Sequence, residues 1–83
     1  MNESAHARRG AILRILYAHR RENPTSPRMS LEAIATATNL SQRDTIFDVW
    51  VLVGKTLLRQ AELNGDVEIS VEGVLALEAG RHL

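Results

Sequence analysis

The stretch SLEAIATATNLSQRDTIFDVWVLVGKTLLRQAELNGDVEISVEGVLALE, residues 30–78, decides how this chain folds. It opens with a short alanine-rich run whose apolar members Leu31, Ile34 and Ala35 recur at helical spacing. Ser30 precedes that run as an N-cap, and Glu32 sits in the first turn, where the helix dipole favours an anion. Asn39 tolerates the left-handed conformation that ends many helices, so Thr38-Asn39-Leu40 reads as a turn, with Leu40 plugging the junction. Ser41 then caps a longer helix, with Asp44 three residues on in a capping-box-like position. Leu57 and Leu58 enter a strand, and Val67 and Ile69 alternate as the returning one. Between them Asn64-Gly65 gives a two-residue hairpin signal that pairs Leu63 with Asp66. That register turns Leu58, Val67 and Ile69 to the core. Ser70 caps a last helix, whose Val74, Leu75 and Leu77 close the core beneath the sheet.

Working outward, the chain before Ser30 holds one long helix. Ser4 is its N-cap, and Asn23-Pro24 its stop. Ile12, Leu13, Leu16 and Tyr17 give it one buried stripe, with Arg8, Arg14 and Arg21 mostly away from it. Asn23 to Arg28 reads as a loop, after which Met29 supplies one residue of a bridging strand. These readings predict a single domain over 1–83, mainly α with a small β-hairpin wing. The helices fall over 5–22, 31–38, 42–55 and 71–79, and the strands over 57–62 and 67–69.

Composition narrows the function. The chain has 83 residues, 45% of them hydrophobic, which suits one small core rather than a disordered segment. It has no cysteine, so disulfide and thiolate-metal chemistry are excluded. His6, His19 and His82 lack zinc-site spacing, the five glycines form no phosphate loop, and no nucleophile has a visible base. We therefore expect neither an enzyme nor a bound cofactor. Arg8-Arg9 before Ile12 to Leu16 imitates a secretory leader, but the apolar run is short and ends at His19-Arg20-Arg21. No apolar run nears the roughly 20 residues of a membrane span, and a cytoplasmic protein with no membrane partner is expected. Net charge is zero but divided: residues 1–43 hold seven arginines against three glutamates, and residues 44–83 three bases against seven acids. That asymmetry allows a basic face, and it equally suits association between unlike surfaces.

The order helix, turn, helix, two-stranded ribbon over residues 5–80 resembles the winged helix-turn-helix superfamily. Thr56 stands where that family often has glycine. The opening His6-Ala7-Arg8-Arg9 to Leu16, together with the length, is also similar to small winged-helix proteins of Mu-like prophages. The resemblance implies a transcription-regulator-type module that grips double-stranded DNA through its third helix. Gln42, Arg43 and Thr45 would meet bases or phosphates there, and Arg8, Arg9, Arg14 and Arg28 would supply further phosphate contacts. So few cations would need a dimer to bind usefully.

The faces of the third helix complicate that expectation. With Thr45, Val49 and Leu52 inward and Ile46 and Val53 flanking, the far side carries Arg43, Asp44, Phe47, Val51 and Gly54, with Trp50 at its edge. A DNA reader carries polar and basic groups there. Here Asp44 and Asp48 would meet phosphates with the wrong sign. Phe47 and Trp50 either pack under the wing or against the first helix, or join Val51 in a homodimer or partner interface, or touch DNA. Glu62, Asp66, Glu68 and Glu72 make the wing acidic, unlike one that lies on phosphates. The alternative function is accordingly a winged-helix protein-interaction or dimerisation module with no direct DNA contact.

Overall fold

The computed structural model describes residues 4–80. In chain order it holds α1 (Ala5–Glu22), α2 (Leu31–Thr38), α3 (Gln42–Gly54), β1 (Leu58–Gln60), β2 (Val67–Ile69) and α4 (Val71–Glu78). It is a mainly helical fold with a small antiparallel β-hairpin wing.

Each helix begins on the serine that the sequence marks. Ser4, Ser30, Ser41 and Ser70 accept from the backbone N–H groups of Ala7, Ala33, Asp44 and Gly73, at 2.9 to 3.1 Å. Each bond satisfies one of the donors a helix start leaves open. The ends of α2 and α3 share one geometry. Leu40 N–H reaches Ala35 O and Asn39 N–H reaches Thr36 O; Leu57 N–H reaches Leu52 O and Thr56 N–H reaches Val53 O. That paired pattern needs a left-handed residue, supplied by Asn39 at φ 58° and Thr56 at φ 63°. Thr56 thus occupies a position that favours glycine, and it holds a β-branched side chain there at a steric cost.

The core lies where α1, α2 and α3 meet the sheet: Ile12, Leu13, Leu16, Ile34, Val49, Leu52, Leu58, Val67 and Ile69 are all essentially solvent-free. Burying this apolar surface drives the fold. Met29 pairs with Val67 through two 2.8 Å backbone bonds and becomes a third, single-residue rung beside the hairpin. Leu40, Val74 and Leu77 pack against the core from its margins, whereas Leu75 is exposed, so α4 closes the core with fewer side chains than expected.

The wing differs from expectation at its tip. Leu58 pairs with Ile69, Arg59 with Glu68 and Gln60 with Val67, leaving six residues, 61–66, in the loop. β1 accordingly stops at Gln60 rather than residue 62. Asn64, at φ 61°, and Gly65 build a turn closed by Gly65 N–H to Glu62 O at 2.9 Å, and Gln60 Nε2 donates to Gly65 O. The Asn-Gly pair therefore turns the chain within a longer loop instead of joining the strands directly.

α4 is anchored at its first turn. Buried Ser70 donates its hydroxyl to Thr56 O at 2.6 Å while capping Gly73 N–H. A Cβ at Gly73 would collide with the Leu57 carbonyl and lie 2.7 Å from Ile69 Cγ1, so glycine is required for this close approach.

Candidate functional site

The residue pattern of α3 sorts into two faces. Thr45, Asp48, Val49 and Leu52, at steps of three, one and three, turn inward and are buried. Gln42, Arg43, Phe47, Trp50 and Gly54 are exposed, and Asp44 and Val51 are partly so.

Asp48 corrects the sequence reading. It belongs to the inner face and is 0% exposed. Its carboxylate takes Arg8 Nε at 2.7 Å on one oxygen and Arg9 Nε at 3.2 Å on the other, and Arg8 Nη2 lies 3.4 Å away. A carboxylate can sit in this interior because two guanidiniums accompany it. Both arginine side chains are only 18% exposed. Arg8 and Arg9 therefore clamp the start of α1 to the middle of α3, with both guanidiniums turned to Asp48 and only one unit of positive charge left over.

Thr45 is corrected too. It is fully buried, and its hydroxyl donates to Ser41 O at 2.9 Å, so it cannot reach a base. Of the seven expected DNA contacts, Gln42, Arg43, Arg14 and Arg28 remain at the surface. Gln42 and Arg43 are consecutive at the start of α3, and the other two lie on different segments. Arg14 folds back over Gly10 on α1, and Arg28 lies in the loop before Met29. Gln42 borders a hollow of about 350 Å³ whose wall includes Glu32 from α2 and Asp66 from the wing tip, so its charged neighbours are acidic.

The apolar candidates do come together. Phe47 is 50% and Trp50 62% exposed, with ring centroids 6.3 Å apart and planes tilted by 48°. Packing beneath the wing or against α1 is thus not their arrangement. Beside them Trp50, Val51, Val53 and Gly54 line a shallow, mostly apolar hollow of about 260 Å³. Two half-exposed aromatics on one helix of a small domain are unusual, because burial of each would stabilise the monomer.

Elsewhere, Tyr17 donates to Glu78 at 3.0 Å and carries Arg21 over its ring at 5.8 Å, tying α1 to α4. Glu62, Leu63, Asp66 and Glu72 are exposed and Glu68 partly so, which leaves the wing acidic. Among the described residues no group of three or more His, Asp or Glu is placed to hold a metal, and no helix is long and apolar enough to cross a membrane. His82 lies outside the described residues.

No family model, no curated protein and no solved structure matches this chain. Its functional reading therefore rests on its own geometry.

Proposed function

We propose that this chain is a winged-helix module that works by docking a protein onto the exposed face of α3. Phe47 and Trp50 are the anchors, and Val51 and Gly54 form the floor. The observation that carries this reading is the exposure of two adjacent aromatic rings at the centre of the helix that, in the winged-helix arrangement, is free to meet a partner. Aromatic side chains with this combination of apolar area and few rotatable bonds are the common anchors of protein interfaces. The chemistry is binding, not catalysis.

A second reading keeps DNA as the partner. Its support is the exposure of Gln42 and Arg43 at the start of α3, where a recognition helix meets bases. It is the weaker of the two. Arg8 and Arg9 are engaged by Asp48, Thr45 is buried, and the wing would face phosphates with like charge.

A photo-reactive phenylalanine analogue at position 47, activated in the native host, separates the readings. Docking through α3 yields a covalent polypeptide adduct whose yield falls when Trp50→Ala is added. Adducts confined to DNA would establish the second reading and refute the first.

A further inference from the structure

We propose that the occupant of the α3 face is a second copy of this chain, joined about a two-fold axis with the two α3 helices antiparallel and crossing between Trp50 and Val51. The proposal rests on the docking reading and names its partner.

Phe47, Trp50, Val51 and Gly54 follow one another at steps of three, one and three residues, so they form a single stripe. That stripe has a projection at one end and a recess at the other. Phe47 stands out half-exposed. Gly54 ends the stripe in the apolar hollow of about 260 Å³, and nothing lies within 4 Å of where its Cβ would be. Reversing a second stripe against the first sets each Phe47 over the other copy's Gly54 and each Trp50 against the other copy's Val51. Both pairs are symmetric about the same point between residues 50 and 51. An isologous interface demands this self-complementarity, and glycine at the recess lets the ring approach closely.

Charge fits this register to within one residue. Asp44 near the start of α3 and Lys55 at its end are separated by about three helical turns, so they share one flank of the stripe. Like flanks meet when two helices run antiparallel. Each Asp44 then faces the other copy's Lys55, twice per dimer, and the helix dipoles oppose favourably. Arg43 projects past the end of the opposite helix. The exposed parts of the two rings supply only about 250 Å² per copy, well below the roughly 800 Å² per partner of a standard interface. So small an apolar contact suits only a weak, reversible dimer, because buried area alone does not set affinity.

Sedimentation of the full chain over roughly 5–500 μM tests this. The wild type should move from its 9.2 kDa monomer toward twice that mass. Gly54→Gln, whose added atoms enter open space in the monomer, should keep its circular dichroism and weaken association about tenfold. Asp44→Lys should weaken it as well, and the exchange Asp44→Lys/Lys55→Asp should restore most of the loss. A chain that stays monomeric, a dimer indifferent to Gly54→Gln, or a charge exchange without rescue would each overturn the proposal. A monomer whose position-47 probe still captures a different polypeptide would remove the second copy and leave docking intact. A monomer without any polypeptide adduct would remove both.

Discussion

Replacing Asp48 by alanine is the sharpest perturbation of the architecture. The substitution deletes a carboxylate that is wholly buried and strands two guanidiniums that had shared it. Breaking a fully buried ion pair from one side costs about 3–5 kcal/mol. Here both arginine side chains keep 18% of their surface, so they can partly turn outward and recover water. The expected loss is therefore about 2–3 kcal/mol, including the small void left beside Val49. A domain of this size has roughly 4–12 kcal/mol of stability, so the variant should still fold. With a urea slope of about 1 kcal/mol per molar, its midpoint should fall by about 2–3 M. Far-ultraviolet circular dichroism is the suitable probe, since the indole of exposed Trp50 reports weakly on the core. Joint replacement of Arg8, Arg9 and Asp48 by apolar residues should recover much of the loss, because no uncompensated charge remains. A shift under about 0.5 kcal/mol for Asp48→Ala would refute the clamp. Arg8 and Arg9 would then return to the pool of cations open to phosphate.

Other substitutions test single features. Gly73→Ala should destabilise by about 2–3 kcal/mol in the same urea assay, because its Cβ meets backbone that cannot easily yield. Thr56→Gly should stabilise by about 0.5–1 kcal/mol, since relief of the left-handed strain exceeds the entropy cost of glycine, and its melting temperature should rise accordingly. Ser70→Ala should cost about 1–2 kcal/mol, through the lost cap on α4 and the lost bond to Thr56 O, with hydrogen exchange in α4 accelerated first. In anisotropy titrations with mixed-sequence duplex at low salt, the wild type should show no saturable binding below about 10 μM.

Much of this fold is written locally. Serine at four helix starts and asparagine at the end of α2 follow from neighbouring residues, and each is found where its chemistry places it. Thr56 stands out in the sequence only against a family pattern, and its left-handed backbone gives that departure a physical meaning. Asp48 departs from expectation because a charged residue on a helix is ordinarily solvated. Its partners lie about forty residues earlier, beyond any local pattern. The 45, 48, 49, 52 periodicity was the available signal, and it places Asp48 on the same stripe as three residues assigned inward. Asn-Gly by itself signals a two-residue turn, whereas here Gln60 Nε2 donates to Gly65 O and Gly65 N–H donates to Glu62 O within a six-residue loop. The apolar candidates on α3 were legible from helical spacing, but their exposure was not. Whether Phe47 and Trp50 turn under the wing or into solvent depends on packing among all the elements.

The proposed partner surface of α3 is Phe47, Trp50 and Gly54 rather than Gln42 and Arg43. Amide nitrogen–proton correlation spectra of the full chain test it most directly, recorded with mixed-sequence duplex DNA and across protein concentration. Signals from residues 47–54 should move with protein concentration, while DNA should leave those of Gln42 and Arg43 in place. Concentration-independent signals on the apolar stripe, with Gln42 and Arg43 shifting on DNA, would contradict it.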